Sequence, residues 1–348
     1  MPKTIIHYFT GTGNTAHSVK LIYEKLKAAG HDITIGQVKK NIIPPSGTFD
    51  YHIIAFPVLS WAAPVIMKRY IREMPRSKGA KAAVLAIIGG IVTEGRLVKG
   101  YAGQALEQVE KILCRKKYDV FLTRDATFPD NWTQVTNPCS LKDTELIFPV
   151  GEADVNAFTE SFLTEKRELY RCGFFNRTWS YLIAGLFGKL GRRLLGKFYI
   201  ADENCTGCSI CEKACPVQTI RMKDEKPFWG TNCEDCNRCI NICPERAIQV
   251  SVPLFILQSV INIGLTIWAI RAILIHIPEM IQTDKIFMLS LEVILIILAV
   301  LFLLWVSFVP IDAFFRLLLK NPAMRRFFSS SYTRKYRRYI APGFNPLS

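Results

Sequence analysis

Hydrophobic residues in the first 165 positions follow two periodicities, one typical of strands and one typical of helices. TIIHYF predicts a buried strand, whereas TAHSVKLIYEKLKAAG places Val19, Ile22 and Leu26 at helical spacing before Gly30. Strands are also predicted over DITIGQV, DYHIIAFPV, KAAVLAIIGG and YDVFLTRDATF, and helices over APVIMKRYIREM and YAGQALEQVEKILCRKK. Strands that alternate with helices favour right-handed crossovers and a parallel sheet covered on both faces. The pattern predicts an α/β domain with five strands within residues 1–165.

The segment between the first predicted strand and the first predicted helix is rich in glycine and threonine and reads FTGTGNT. Such a loop in a doubly wound sheet binds phosphate, because backbone N–H groups converge there and the following helix adds partial positive charge. The sequences G-x-x-x-x-G-K-[ST] and G-x-G-x-x-G are both absent, which argues against a P-loop NTPase and a Rossmann domain. The candidate phosphate ligands are Thr10, Gly11, Thr12, Gly13, Asn14 and Thr15.

This loop resembles the phosphate loop of flavodoxins, T-x-T-G-N-T, which grips the phosphate of FMN without a lysine or arginine. His7 and Val19 depart from that family's pattern but lie outside the loop. The resemblance implies a flavodoxin-like, doubly wound, five-stranded parallel sheet with non-covalent FMN. Trp61 is expected either to stack on the flavin ring or to be a packing anchor, and the loop FPDNW to cover the site. The implied ring contacts are Pro57, Val58, Leu59, Ser60, Trp61, Gly89 and Gly90.

Residues 201–250 contain one cysteine pattern twice. CTGCSICEKACP and CEDCNRCINICP both follow C-x2-C-x2-C-x3-C-P, the run of bacterial-type ferredoxins that hold two 4Fe–4S clusters. Zinc is the alternative, but the third cysteine and trailing proline in both copies favour iron–sulfur. QTIRM and RAIQV are predicted as matching short strands of this small α+β module. The resemblance implies crossed ligation, with Cys205, Cys208, Cys211 and Cys243 on cluster 1 and Cys233, Cys236, Cys239 and Cys215 on cluster 2.

Two long runs without charge follow the cysteines. Residues 252–270 and 293–311 are each nineteen residues long, enough to cross a hydrocarbon core of about 30 Å. They predict a two-helix transmembrane hairpin within residues 251–315, with a buried core hairpin as the alternative. The loop between them carries two acids and one lysine, whereas residues 316–348 carry eight basic residues and no acid. The positive-inside rule then predicts the redox domains and this basic tail on the cytoplasmic side.

The net charge of +15 is concentrated in residues 166–200 and in the tail. Basic blocks beside long apolar runs favour anionic membrane lipid as a partner rather than nucleic acid. Residues 166–200 mix leucines and aromatic residues with Lys189, Arg192, Arg193 and Lys197. They are predicted to form either an interfacial amphipathic helix or a linker helix packed between domains. No signal peptide is visible, so we expect a reducing compartment, where clustered cysteines bind metal.

Residues 1–250 resemble the fused flavodoxin–ferredoxin proteins of anaerobic bacteria and archaea. The resemblance implies electron transfer between two one-electron clusters and an FMN that holds one or two electrons. With the hairpin, the chain would be a multi-pass protein of the cytoplasmic membrane, and its electron donor or acceptor would be a ferredoxin-like protein. Two alternatives remain open: an FMN-dependent reductase with His7, Tyr8 or Asp130 as proton donor, and the redox subunit of a larger membrane complex.

Overall fold

The N-terminal part of the chain is built on one largely parallel sheet. The computed structural model describes residues 1–281 and 317–347, together with positions 294, 298, 302, 314 and 315. The strands of this sheet are β1 (Lys3–Tyr8), β2 (Asp32–Gln37), β3 (Tyr51–Pro57), β4 (Lys81–Thr93), β5 (Arg96–Lys99), β6 (Asp119–Pro129) and β7 (Glu168–Leu169). Their order is β2-β1-β3-β4-β6-β7 with parallel pairing, while β5 pairs antiparallel with β4.

Two helices cover each face of the sheet. Successive residues of β3, such as Ile53 and Ile54, point to opposite faces, and both are fully buried because both faces carry helices. One face packs against α2 and α3, and the other packs against α1 and α4. These helices are α1 (Asn14–Ala28), α2 (Val65–Glu73), α3 (Ala105–Arg115) and α4 (Leu141–Leu163).

The predicted α/β class and the five predicted parallel strands are confirmed as β1, β2, β3, β4 and β6. The apolar pattern did not predict three elements of the domain, which are β5, β7 and α4. Helix α4 contains Pro149 and Gly151, which interrupt the helical signal. Its start does carry a local signal, because Ser140 and Asp143 form a capping box at the N-terminus of the helix.

The cysteine-rich module is small and has its own apolar core. Ile220, Trp229, Ile240 and Ile248 are buried together there. The predicted strands QTIRM and RAIQV both form, but they do not pair with each other: residues 220–223 pair with residues 226–229, and residues 248–250 pair with residues 199–201. The elements are β8 (Tyr199–Ala201), α7 (Ile210–Lys213), β9 (Ile220–Lys223), β10 (Lys226–Trp229), α8 (Arg238–Ile242) and β11 (Ile248–Val250).

The segment before the cysteines is helical almost throughout. It consists of α5 (Phe174–Leu186), a π-helical segment (Phe187–Gly191) and α6 (Arg192–Lys197). Arg192 is 3% exposed and donates a hydrogen bond to the Cys233 carbonyl oxygen at 2.6 Å. At this position the helix is packed against the cysteine module, while Trp179 and Tyr181 near its start remain exposed.

The predicted membrane hairpin has no support from the described residues. The first apolar run lies within α9 (Val252–Ile281). Most of the second run, residues 293–311, lies outside the residues that the structure describes. Among the helices in the described part of the chain, none is both long enough and apolar enough to span a bilayer.

The basic tail is packed onto the rest of the molecule. After α10 (Pro322–Phe328) and a 3-10 turn (Tyr332–Lys335), it runs across the cysteine module to the N-terminal domain. Arg337 donates to the Pro138 carbonyl at 2.7 Å, and Arg338 donates to the Ile248 carbonyl at 3.2 Å. Burial lowers the pKa of Arg338 to about 10. Part of the tail's positive charge therefore serves internal contacts, which the sequence pattern did not indicate.

Candidate functional site

A cleft lies at the carboxyl end of the parallel strands. The sheet order reverses between β1 and β3, which makes this edge the topological switch point where ligands of such folds bind. Ten of the thirteen residues predicted for flavin binding line the cleft: Thr10, Gly11, Thr12, Asn14, Thr15, Pro57, Val58, Leu59, Ser60 and Gly89. The loop FPDNW was expected to cover the site, and four of its residues line the cleft: Pro129, Asp130, Asn131 and Trp132. The wall residues that were not expected at the flavin site are Ile87, Ile88, Phe187, Asp235, Cys236 and Asn237.

The loop after β1 has the features of an anion site. Gly13 has a left-handed backbone with φ of 112° and precedes the first turn of α1, whose N–H groups have no partners within the helix. No acidic residue lies in that first turn. The Thr15 hydroxyl is buried and has no hydrogen-bond partner among the residues that the structure describes. A phosphate at this position would satisfy that hydroxyl group, so the loop fits the phosphate of FMN.

A buried arginine from the cysteine module holds the loop. Arg238 donates to the carbonyl oxygens of Thr10 and Gly11, both at 2.7 Å. In a trans peptide the carbonyl and the following N–H point in opposite directions. Because Arg238 binds the carbonyls on one side, the N–H groups of Gly11 and Thr12 are directed to the other side of the loop.

The structure places Trp132, rather than Trp61, in the cleft wall. Ser60 and Trp61 both have left-handed backbone, with φ of 47° and 59°. Trp61 stacks on Tyr101 with 5.6 Å between ring centroids and does not line the cleft. Trp132 lines it and donates its indole N–H to Asp235 at 3.1 Å. A tryptophan's neighbours depend on turn conformation, which short-range patterns do not encode.

The two predicted glycines that do not line the cleft have structural contacts of their own. The Gly13 N–H donates to the Thr10 hydroxyl at 3.2 Å. Gly90 is buried within β4, and its carbonyl accepts a hydrogen bond from the Asp130 N–H at 2.9 Å. Gly90 therefore joins β4 to the first residue after β6.

The first set of four cysteines lies around one cavity. Cys205, Cys208, Cys211 and Cys243 all line it. Burial, with a smaller contribution from the nearby thiols of the other three, raises the pKa of the Cys211 thiol to about 12. The structure thus brings the fourth cysteine of the second run to the first three cysteines of the first run, as crossed ligation requires.

The second set is also mutually close. Burial, with a smaller contribution from the nearby Cys215 thiol, raises the pKa of the Cys236 thiol to about 12. Cys233 is likewise close to Cys236 and Cys239. Within the described residues, no three His, Cys, Asp or Glu side chains converge as a single metal ion would require. In a 4Fe–4S cluster, each cysteine binds a different iron.

Cys236 connects the two parts of the site. It lines the cleft beside the phosphate loop, and its carbonyl oxygen lies 2.5 Å from where a Cβ on Gly11 would stand. A side chain at position 11 would therefore separate the loop from the cysteine module. Only glycine permits this close approach of the two backbones.

A buried ion pair secures the junction nearby. Both carboxylate oxygens of Glu234 accept hydrogen bonds from the N-terminus of α2, from Val65 N at 2.8 Å and from Ile66 N at 3.1 Å. Arg192 lies 3.3 Å from the same carboxylate, and both side chains are at most 4% exposed. Burial raises the pKa of Glu234, while Arg192 and the two N–H groups favour its charged form. The cysteine module thus caps a helix of the N-terminal domain.

Of the three proton-donor candidates, only Asp130 lines the cleft. It accepts a hydrogen bond from Thr136 at 2.5 Å. His7 is buried between His52 and Tyr70, and burial lowers its pKa to about 3, so it is neutral. Tyr8 is half-buried, and burial raises its pKa.

Comparison with known proteins agrees with the chemistry of the cysteine module. Residues 204–248 match the family described as a 4Fe-4S dicluster domain. The chain therefore contains a 4Fe–4S domain. No curated protein gives a significant match.

Several solved flavodoxin structures are similar to a little under half of this chain. Flavodoxin 2 from Bacillus cereus is 18% identical, covers 46% of this chain and 99% of its own, with a TM-score of 0.31. Megasphaera elsdenii flavodoxin is 16% identical over 45% of this chain and 98% of its own, with a TM-score of 0.31. A short-chain flavodoxin associated with a bacterial microcompartment is 11% identical, and the match covers 47% of this chain and 98% of the flavodoxin, with a TM-score of 0.32. The flavodoxin-like assignment rests on the observed strand order and helix placement.

Proposed function

We propose that this chain is an electron-transfer protein in which a 4Fe–4S cluster exchanges electrons directly with FMN. The observation that carries the proposal is the position of Cys236, a predicted cluster ligand that lines the same cleft as the phosphate loop. FMN supplies a carrier of one or two electrons, whereas each cluster carries one. A cluster on Cys236 would be adjacent to the flavin without an intervening protein layer.

The chain's own residues fit this role at both ends of the flavin. Thr15 and the loop N–H groups would bind the phosphate. Trp132 would lie beside the flavin and is oriented by its hydrogen bond to Asp235. Residues 57–60, at the end of β3, and residues 87–89, within β4, would form the remaining walls.

The proposal includes two clusters with crossed ligation. Cluster 1 would be held by the four cysteines around the Cys205 cavity, and cluster 2 by Cys215 with Cys233, Cys236 and Cys239. Trp229 donates its indole N–H to Cys239 Sγ at 3.4 Å, and the Thr219 N–H donates to Cys215 Sγ at 3.4 Å. Hydrogen bonds to cluster sulfurs tune reduction potentials, so these two groups would adjust cluster 2.

A test of this function begins with anaerobic purification and measurement of iron, sulfide and flavin. About eight iron atoms per chain and one FMN are expected. Reduced ferredoxin is then mixed rapidly with the protein, and flavin bleaching is followed. Cys239→Ser should slow flavin reduction while FMN remains bound. Flavin reduction at an unchanged rate without cluster 2 would contradict direct transfer from that cluster.

We also propose attachment to the cytoplasmic membrane, with the redox domains on the cytoplasmic side and a ferredoxin-like electron partner. Its main support is the sequence pattern, which has two charge-free runs of nineteen residues and a tail with eight basic residues. The exposed side chains of Trp179, Tyr181, Leu186 and Leu190 in the preceding helical segment give it an apolar surface suited to the lipid interface.

An FMN-dependent reductase is the second candidate function. Asp130 favours it, because this carboxyl group lines the cleft where a substrate would meet the flavin. Turnover of a small oxidised substrate that falls strongly in Asp130→Asn, with FMN content and cluster-to-flavin transfer unchanged, would support the reductase.

A further inference from the structure

We propose that the C-terminal segment of residues 339–344 belongs to the flavin site and increases its affinity for the phosphate of FMN. The segment would do this by holding the phosphate loop from outside. The inference rests on the proposed FMN function. It extends the site by a segment that is distant in sequence, since Tyr339 lies 325 positions after Asn14 of the loop.

The segment contacts three consecutive residues of the loop. The Ala341 N–H donates to the Thr12 carbonyl at 2.8 Å. The Tyr339 hydroxyl donates to Asn14 Oδ1 at 2.5 Å, and Tyr339 is only 6% exposed. Between them, a Cβ on Gly13 would lie 2.7 Å from Phe344 and 2.8 Å from Ala341. The tail therefore packs directly on the turn that precedes α1.

Tyr339 also sets the orientation of an amide in the cleft wall. Because its hydroxyl donates to Asn14 Oδ1, the nitrogen of that amide is the atom available to donate elsewhere. Asn14 Nδ2 donates to the Pro129 carbonyl at 3.1 Å. Pro129 lies at the end of β6 and lines the cleft. Through Asn14, Tyr339 thus fixes the distance between the loop and the opposite wall of the site.

The tail completes a set of donors on the loop carbonyls. Arg238 binds the carbonyls of Thr10 and Gly11, and the tail binds that of Thr12. The Phe344 ring packs on the Arg238 guanidinium, with 5.4 Å to the ring centroid. Three consecutive carbonyls are thus held by these donors, and the N–H groups of Gly11 and Thr12 point away from Arg238. A loop ordered before the ligand arrives loses less conformational entropy on binding, which raises affinity.

The segment is itself well anchored. The Tyr339 N–H donates to Asn241 Oδ1 at 2.8 Å, and Arg337 donates to the Pro138 carbonyl. The Tyr332 hydroxyl donates to the Gln134 carbonyl at 2.5 Å. These contacts attach the tail to both domains, so the tail can hold the loop in one position.

The test compares FMN with riboflavin, which lacks the phosphate. Flavin is removed from the full-length protein with its clusters retained, and each flavin is titrated back by fluorescence quenching. Tyr339→Phe deletes one hydroxyl group and keeps the ring, so we expect FMN binding to weaken about three- to tenfold. Truncation of the chain after Arg338 should lower the affinity for FMN further. Neither change should alter riboflavin affinity more than about twofold, which is within the scatter of such contributions.

Tyr336→Phe is the matched control, because in the described chain its hydroxyl has no hydrogen bond to the loop. Amide hydrogen exchange of residues 11–15 in the flavin-free protein gives a second measurement, and it should accelerate in Tyr339→Phe. Unchanged FMN affinity, or equal weakening of FMN and riboflavin, would overturn the inference. Failure of the unaltered chain to bind FMN would instead overturn the proposed function, and the inference with it.

Discussion

The carbonyl oxygen of Cys236 lies 2.5 Å from the position that a Cβ on Gly11 would occupy. A loop of the N-terminal domain and a cysteine of the 4Fe–4S domain are thus in backbone contact, at the wall of the cleft. Because the oxygen belongs to the main chain, it cannot rotate away as a flexible side chain would.

Gly11→Ala should separate the two domains at this contact. We expect a loss of about 1–3 kcal/mol in the free energy of unfolding, as for other overpacked sites. Thermal unfolding and FMN titration measure the effect. Gly173→Ala is the control, since no atom of the described part of the chain lies within 4 Å of its added Cβ, and its effect should stay within about 0.5 kcal/mol. Equal stability of the two variants would show that the contact is not tight.

Removal of the Glu234 carboxylate should destabilise the domain junction strongly. Glu234→Ala leaves Arg192 buried without its ion-pair partner and removes the cap of α2, and loss of one partner of a buried pair costs about 3–5 kcal/mol. The exposed pair of Lys25 and Glu160 provides the comparison. Glu160→Ala should cost at most about 1 kcal/mol. Thermal unfolding and limited proteolysis at the junction would report both.

Two buried histidines should make stability depend on pH. Burial lowers the pKa of His7 to about 3, with a further contribution from His52, and burial lowers that of His52 to about 4. The unfolded chain has a pKa near 6.5 and binds more protons, so each group reduces stability as pH falls below about 6.5.

His52→Gln should therefore flatten the loss of stability between pH 6.5 and pH 4. The change in slope is at most about 1.4 kcal/mol per pH unit for one group. Chemical denaturation at several pH values, in parallel for both proteins, measures it. Acid damage to the clusters affects both proteins alike, so the difference in slope is the informative quantity. Parallel pH profiles would contradict the role of His52.

Crossed ligation predicts which cluster each variant damages. Cys215→Ala should disturb the cluster held by Cys233, Cys236 and Cys239, and Cys243→Ala the cluster near Cys205. Because Cys236 lines the flavin cleft, only the first variant should alter the spin coupling between the reduced cluster and a flavin radical. Electron paramagnetic resonance of the reduced proteins separates these cases. Damage confined to the Cys205 cluster in Cys215→Ala would show ligation within each run instead.

Membrane attachment predicts that the full chain stays in the membrane pellet after alkaline carbonate washing. Ser251 Oγ donates to the Phe328 carbonyl at 2.6 Å, so the chain ends that flank the apolar region are close together. A Gly/Ser linker in place of residues 252–320 should then give a protein that is released by carbonate and keeps its flavin and clusters. Release of the unaltered chain by carbonate would remove the membrane proposal and leave electron transfer intact.

Several features of this protein followed from the sequence itself. The apolar pattern predicted β1, β2, β3, β4 and β6. In β3 and β4 the apolar residues form long runs, because a strand buried on both faces must be largely apolar, whereas β2 lies at the edge of the sheet and its residues are exposed or half-buried. The loop FTGTGNT was identifiable, because its glycines and threonines stand between a strand and a helix. The cysteine spacing predicted the 4Fe–4S domain for a similar reason: three of the four ligands are close in sequence.

Tertiary structure decided how these parts meet. The contacts of Cys236 with Gly11, Glu234 with α2 and Tyr339 with Asn14 join residues that are between about 170 and 325 positions apart. Such contacts carry no local period, because they depend on how completed domains pack and not on the order of neighbouring residues. Trp132 lines the cleft and Trp61 does not, for the same reason. Turn conformation and domain packing determine which side chains face a site.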